Sequence, residues 1–532
     1  MAAVRVATEI LAAAFRLGKL LCAGIDPPKK LEELPEDVKI YTPLGILDIE
    51  ETIFNFGKQI ADAVSDLACA VKPNIAFFSR HGEAGERALR RIIRYCHTCY
   101  PWMIVHCDGK RGDISHTAEA YADEIFGDFG FDGVTVNDHL GADCVMPFVE
   151  WGDGSKLIVP LCRTSNKSAA AKQDVRVILE PEELTALFNG PAYHGSPRAN
   201  DIWPSPMRYF EMTAWQIGGT YDTLGNCGAV VGATVPEQMA AVRAILRKSP
   251  LLVPGFGAQG GDVEKTLEDG LTEDGSGLIC NYSRGISEAY KREEYAGMTF
   301  VQAARTAALA ADAELRCYRR QTLALRVFEH TNAILYGGHY VYKSERHGEV
   351  YVAKDEALRD PSNVRLFGRL LAEMIVDQPF DAVLGPADPG IGLSQFTALA
   401  IQEATGVAVP ALYASKEGDG FKLKPDQQEL VRGKRIALVD DVVTKGTTYG
   451  QVKKVIEDAG GTVTVFASLW NRGGLTAEKA GVPTFSAVKR QFGDCAPDEC
   501  QLCADGVPVN TDHGHGADFL AKADKSAGGP DV

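Results

Sequence analysis

No apolar run in this chain approaches the ~20 residues that a helix needs to cross a bilayer. Nor is there an excess of positive charge: 55 Lys and Arg face 71 Asp and Glu, for a formal net charge of -16. That balance argues against a general nucleic-acid or anionic-membrane surface, while leaving local basic clefts for phosphates open. Thirteen cysteines occur without a secretory leader, so a disulfide framework is not expected and the chain reads as a cytoplasmic protein with reduced thiols. Between residues 298 and 336 glycine and proline are missing while Ala, Leu and Arg dominate, which predicts a stiff helical junction. At 532 residues the chain is too long for one ordinary core, and two or three domains are expected.

What is present is a repeated unit. Short apolar segments ending in Gly, Asp, Asn or Ser recur between helical patterns at 20–26, 70–77, 103–108, 133–137, 157–162, 229–234, 251–257 and 277–283. Strands alternating with helices pair in parallel, and eight of them predict a closed (β/α)8 TIM barrel with its chemistry on the loops after the strands. An amphipathic stretch over 4–21, carrying Arg5, Arg16 and Lys19, has the look of a transit peptide, but it runs straight into the first strand. It is read instead as a helix closing the bottom of the barrel. A long excursion over 163–227, rich in Pro, Gly and aromatic residues, separates the fifth and sixth strands and is expected to cover the mouth.

The most informative stretch is Asp108-Gly109-Lys110-Arg111-Gly112-Asp113-Ile114-Ser115-His116-Thr117. Here an apolar strand feeds directly into charges, and a buried ion left unpaired costs several kcal/mol, so these side chains must meet partners in a site. Asp108 and Lys110 share one face of an extended strand, Asp26 ends the first strand and Lys72 lies in the second. The string resembles the DxKxxDIxxT signature of orotidine 5'-monophosphate decarboxylases. That resemblance implies a cofactor-free decarboxylation in which Lys110 protonates the carbon left by carbon dioxide while Lys72 and Asp108 hold it in place. It also implies that Asp113 and Thr117 reach across a dimer interface toward the ribose and phosphate end of the partner's substrate, and that Asp26 binds a ribose hydroxyl. Glycine-rich loops at 254–262 and 281–286 follow the seventh and eighth strands, where barrels usually bind phosphate. By the same resemblance Gln259, Arg284 and Gly285 hold the phosphate, and Thr164, Ser165 and Asn166 read the pyrimidine edge. The stretch 226–236 is similar to a longer bacterial-type subgroup, with Lys167 standing where proline is expected.

Strand-like runs return at 350–353, 382–385, 409–414, 435–441 and 463–470, which predicts a second α/β domain with a central parallel sheet. Within it, an apolar strand ends in Asp440 and Asp441 and is followed by Thr444, Lys445, Gly446, Thr447 and Thr448. Two carboxylates can accept both hydroxyls of a ribose, and the small-residue turn offers N–H groups and hydroxyls to a 5'-phosphate at a helix amino end. This resembles the phosphoribosyl pyrophosphate (PRPP) motif of type I phosphoribosyltransferases. Residues 337–344 resemble the amino-terminal segment of orotate phosphoribosyltransferases. The resemblance implies Lys343 near the substrates, 386–393 as the pyrophosphate loop, Arg472 near the orotate carboxylate, and magnesium bound mainly through pyrophosphate oxygens. Two departures stand out: Glu345 replaces an expected glycine, and 416–424 lacks the usual basic KxHG-like mobile loop.

Together the resemblances match consecutive steps, in the order of a bifunctional uridine monophosphate synthase with the decarboxylase half first. A carboxy-lyase and a glycosyltransferase acting on small molecules are implied, as a homodimer or higher homo-oligomer. The expected divisions are 1–318, 319–511 and, from its small, charged, Gly-rich composition, an unstructured tail over 512–532. One alternative keeps the decarboxylase and makes the second half regulatory or specific for a different base; another turns the barrel into a metal-dependent sugar-phosphate lyase. Cys495, Cys500 and Cys503, followed by His513 and His515, are zinc-ligand residue types, but their spacing is loose and half a site short. A structural loop without metal is expected there.

Overall fold

The computed structural model describes residues 5–179, 206–257 and 260–527. The chain divides into two compact units, Met1–Arg319 and Arg320–Val532, the division falling inside one helix, Phe300–His330.

In the first unit eight parallel strands close a barrel. Five come in succession: β1 (Leu21–Ile25), β2 (Ala68–Pro73), β3 (Ile104–Arg111), β4 (Gly133–Val136) and β5 (Leu157–Arg163). A short antiparallel pair, β6 (Arg176–Val177) and β7 (Met207–Arg208), then interrupts the series. The last three are β8 (Ala229–Val231), β9 (Leu251–Pro254) and β10 (Leu278–Tyr282), and β1 pairs with both β2 and β10 to complete the ring. The excursion between β5 and β8 falls partly outside the described residues.

Side chains alternate across each strand, and this decides where polar groups can go. Inward residues such as Ala70, Ile104, Leu157, Val159, Leu252 and Ile279 fill the barrel and meet Ala7, Leu11 and Ala14 of the helix Ala7–Arg16. That apolar layer seals the amino-terminal end. Moving up the same faces, Lys72 follows Ala70, and Asp108 follows Ile104 and His106, so charge enters only at the carboxyl-terminal end.

In the second unit β11 (Ile334–Val341) and β12 (His347–Val352) form an antiparallel hairpin. A six-stranded sheet follows, built from β13 (Ala382–Pro386), β14 (Ala411–Glu417), β15 (Gly420–Lys422), β16 (Arg435–Val443), β17 (Thr462–Asn471) and β18 (Thr484–Val488). Its order is β15-β14-β13-β16-β17-β18, parallel except for β15. Both faces are covered: Ala437, Val439 and Val465 belong to one apolar cluster, and Ile436, Leu438 and Phe466 to the other. Continuous apolar runs in these strands follow from that two-sided burial.

Two expectations are corrected here. The junction helix stops at His330, because Asn332 takes a left-handed φ of 52° and Ile334 onward pairs with β12. The tail from Asp512 is not structureless. It contains the helix Gly516–Ala527, anchored by Phe519, whose ring meets that of His347 edge-on at 4.8 Å, and by the Lys522–Glu345 ion pair at 2.6 Å. A single well-placed aromatic residue outweighs the polar composition around it.

Candidate active sites

A cleft of about 1030 Å³ opens at the carboxyl-terminal end of the barrel. Lys72, Asp108 and Lys110 line it as a connected charge array. The Lys72 ammonium, 4% exposed, lies 2.7 Å from Asp108 Oδ2, while Lys110 pairs with Oδ1. The Thr135 hydroxyl also bonds Asp108 Oδ1, at 3.3 Å, and accepts the backbone N–H groups of Gly109 and Lys110 at 3.1 Å each. Lys110 has a left-handed φ of 47°, so this threonine stabilises a turn that an ordinary residue resists.

Electrostatics fix the protonation states. Burial favours a neutral Asp108, but the adjacent Lys72 and Lys110 ammonium groups overcome it and hold the carboxyl well below the usual range. Burial likewise works against a charged Lys72, and Asp108 and Asp26 reverse it, keeping the ammonium above its ordinary value. Asp26 differs: burial dominates over the pull of Lys72 and raises its carboxyl, with Ser283 and the Asn74 backbone beside it, and its Oδ1 is buried without a hydrogen-bond partner. Gly24 makes that contact possible, because a Cβ there would fall 2.0 Å from Ser283 Oγ.

Around the array, Thr164, Ser165, Asn166 and Arg284 line the cleft, with Gly285 next to Arg284 in the short helix Arg284–Ser287. The loop after β5 is fixed from behind. Arg163 grips Asp174 through two bonds of 2.8 and 3.0 Å, and Gln173 accepts the Thr164 N–H at 2.9 Å. Gln259 lies outside the described residues. Asp113 and Thr117 do not line the cleft: Asp113 accepts the Ile114 N–H at 2.8 Å, and Thr117 is exposed.

Sequence reasoning missed Thr135, Ser283 and Asp138. Thr135 acts through a strand distant in the chain, so nothing local marks it, while Ser283 lies in the 281–286 loop but was given no role of its own. Asp138 had a signal, since it follows the fourth strand closely, as Asp26 follows the first. It is buried in the cleft wall, and burial pushes its carboxyl up to about 6.

In the second unit the acidic pair sits at the carboxyl end of β16, and strand alternation sends its side chains to opposite faces. Asp441 pairs with Lys354 at 2.6 Å, a partner not foreseen from the sequence. Asp440 is buried, and burial together with the neighbouring Asp441 charge raises its carboxyl. The turn over Thr444, Lys445 and Gly446 leads into the helix Thr447–Asp458, which begins with Thr447 and Thr448. Gly446 has φ 81° and faces Leu475, and Gly474 lies so close to the Thr444 carbonyl that a Cβ would come within 1.6 Å of its oxygen. The loop is therefore cast against 473–475. Arg472 donates its backbone N–H to Val443 at 2.9 Å and stacks its guanidinium on Tyr342 at 4.4 Å. Lys343 follows Tyr342 in the hairpin turn and is exposed. Glu345 holds a φ of 60°, the conformation that the expected glycine favours.

Residues 19–298, over half of the chain, match the model of the orotidine 5'-phosphate decarboxylase / HUMPS family, and residues 355–499 match that of the phosphoribosyl transferase domain. An orotidine 5'-phosphate decarboxylase of Cupriavidus necator is 37% identical over 314 residues, 59% of this chain and 98% of that protein. One of Cellvibrio japonicus is 41% identical over 290 residues, 54% of this chain and 90% of that protein. Among solved structures, Leishmania donovani UMP synthase is similar over 90% of this chain and 92% of its own, with 26% identity and a TM-score of 0.46. The chain carries a decarboxylase-family barrel followed by a phosphoribosyltransferase domain, and it belongs to the orotidine 5'-phosphate decarboxylase / HUMPS family.

Proposed function

We propose that the second unit joins orotate to PRPP to give orotidine 5'-monophosphate, and that the barrel decarboxylates this product to uridine monophosphate. The observation that carries the proposal is the Lys72–Asp108–Lys110 array at the inner end of the cleft. Loss of carbon dioxide leaves an electron pair on a ring carbon, and no group in the substrate delocalises it. A preorganised ammonium meets that charge without reorganising, and Lys110, half exposed and reaching into the cleft, then supplies the proton. Unit charges about 4 Å apart interact by about 4 kcal/mol at an effective dielectric of 20, so one lysine provides only part of the barrier lowering. Binding of the remote phosphate by Arg284 and the glycine-rich loops provides the rest by orienting the base. Asp108, kept ionised, holds Lys72 charged and both lysines in place.

Asp113 and Thr117, outside the cleft of their own chain, fit a role in a partner's cleft, which makes the working form a homodimer. In the second unit Asp441 is already paired with Lys354, so the acidic pair is not a free carboxylate cage for a cation. Magnesium fits instead as an ion carried by the pyrophosphate of PRPP, where it neutralises the leaving group. The thirteen free cysteines, most of them buried, suit the reducing cytoplasm. No helix among the described residues is long and apolar enough to cross a membrane.

The test is uridine monophosphate formation from orotate, PRPP and magnesium, run beside carbon dioxide release from orotidine 5'-monophosphate in chelator. Both should proceed. Decarboxylation alone would assign the second unit another base or a regulatory role, and decarboxylation that stops in chelator would favour a metal-dependent lyase.

A further inference from the structure

In the second unit, four side chains from two distant parts of the chain converge away from the PRPP loop. His339 comes from β11 and His347 from β12, while Cys500 precedes and Cys503 lies within the short helix Gln501–Ala504. Their nearest ligand atoms all lie within 4.8 Å of one another, and three of the four residues are buried. His339 Nε2 is 3.5 Å from both sulfurs, and His347 Nδ1 is 3.3 Å from Cys503 Sγ.

We propose that this cluster is a structural zinc site with a Cys2His2 ligand set. Zinc bonds of about 2.3 Å to sulfur and about 2.05 Å to nitrogen place tetrahedral ligand atoms about 3.3–3.8 Å apart, which these three of the four nitrogen–sulfur distances match. The two ring nitrogens are closer, 2.8 Å, and binding opens them by about half an ångström. Outside the cluster, His339 Nδ1 donates to the Val507 carbonyl at 2.8 Å, which fixes the tautomer and leaves the Nε2 lone pair aimed inward. Charge balances too: two thiols release their protons on binding, and two thiolates neutralise one divalent cation in a largely buried position.

The ligand set is not the one nearest in sequence. His513 stacks on Tyr351, and His515 pairs with Asp518. Cys495 is joined to His347 by backbone hydrogen bonds, 2.9 Å in each direction, and its sulfur bonds the His347 carbonyl. It is a neighbour of the site, not a ligand.

Four protein ligands fill a tetrahedral set and leave no position for substrate, with Cys503 alone at the exposed rim. The role that follows is to clip the β11–β12 hairpin to the 500–503 segment. Since Tyr342, on which Arg472 stacks, and Lys343 both sit in that hairpin's turn, the clip positions residues of the proposed orotate site.

The experiment uses the untagged full chain, grown with zinc and dialysed against a weak chelator. Metal content is measured by plasma mass spectrometry, and the cobalt(II)-exchanged protein is examined by absorption spectroscopy. One zinc per chain, an intense tetrahedral cobalt spectrum and thiolate-to-cobalt charge transfer are expected. Cys503→Ser, at the exposed rim, should lose the metal and the charge-transfer intensity while decarboxylation by the barrel continues, which reports that the chain is intact. Cys495→Ser should keep the full equivalent. Substoichiometric zinc in the unaltered chain, an octahedral cobalt spectrum, retention by Cys503→Ser or loss in Cys495→Ser would each overturn the assignment.

Discussion

Lys72 and Asp108, 36 residues apart on adjacent barrel strands, form a buried ion pair of 2.7 Å whose two members hold each other charged. Neither would stay ionised alone at that depth. Removing Lys72 leaves Asp108 with Lys110 alone, so the ~3–5 kcal/mol cost of an uncompensated buried charge is an upper bound. Lys72→Ala should therefore destabilise the barrel by up to that much in chemical denaturation. The double variant Lys72→Ala/Asp108→Ala should recover part of the loss. A double variant no better than the single would mean that the pair is not coupled.

Lys110 occupies the same array with half of its side chain exposed, so its removal leaves no buried cation behind. Lys110→Ala should leave the thermal midpoint nearly unchanged while decarboxylation falls by several orders of magnitude, because both the stabilising charge and the proton donor are gone. Orotidine 5'-monophosphate should then accumulate from orotate and PRPP. Disappearance of both activities would instead point to a folding defect.

The contrast between these lysines also indicates what a sequence can carry. Lys72 and Asp108 were legible because apolar strands that end in charge demand a partner, and the eightfold repeat supplied the geometry. Thr135 and Ser283 were not, because they reach the array only when the barrel closes. The second unit is less legible for the same reason. His339 and His347 are brought together by hairpin register and then meet cysteines some 150–160 residues later, so the nearer His513 and His515 drew the expectation instead. Strand β11 was hidden by a helix-forming stretch that only the left-handed Asn332 ends.

Glu345 offers a test of local strain. A non-glycine residue at φ 60° costs ~1 kcal/mol, against an exposed ion pair to Lys522 that contributes ~0–1 kcal/mol. Glu345→Gly relieves the strain and loses the pair, so it should be neutral to stabilising by ~0.5 kcal/mol. Glu345→Ala loses the pair and keeps the strain, and should be destabilising. Thermal unfolding of the two variants should separate them in that order; the reverse order would show that the ion pair dominates.

Asp138 links the barrel's stability to pH. Its carboxyl rises from an ordinary 3.8 to about 6 because it is buried in the cleft wall, opposed only partly by its own backbone N–H and by Lys172. The folded state therefore binds a proton more tightly than the unfolded state. Between pH ~4 and ~6 the unfolded chain has released that proton while the folded one retains it, so this residue's contribution falls as pH rises through the window and is constant above it. The difference corresponds to at most ~3 kcal/mol. Asp138→Asn keeps the shape and removes the charge. The variant should gain stability relative to the parent as pH rises from 4 to 6, be more stable at pH 8, and match it near pH 4. Denaturant midpoints of the barrel at these pH values provide the measurement. Parallel curves for parent and variant would mean that Asp138 is ionised in the folded protein, and that a cation at the cleft mouth, Lys172 foremost, stabilises it.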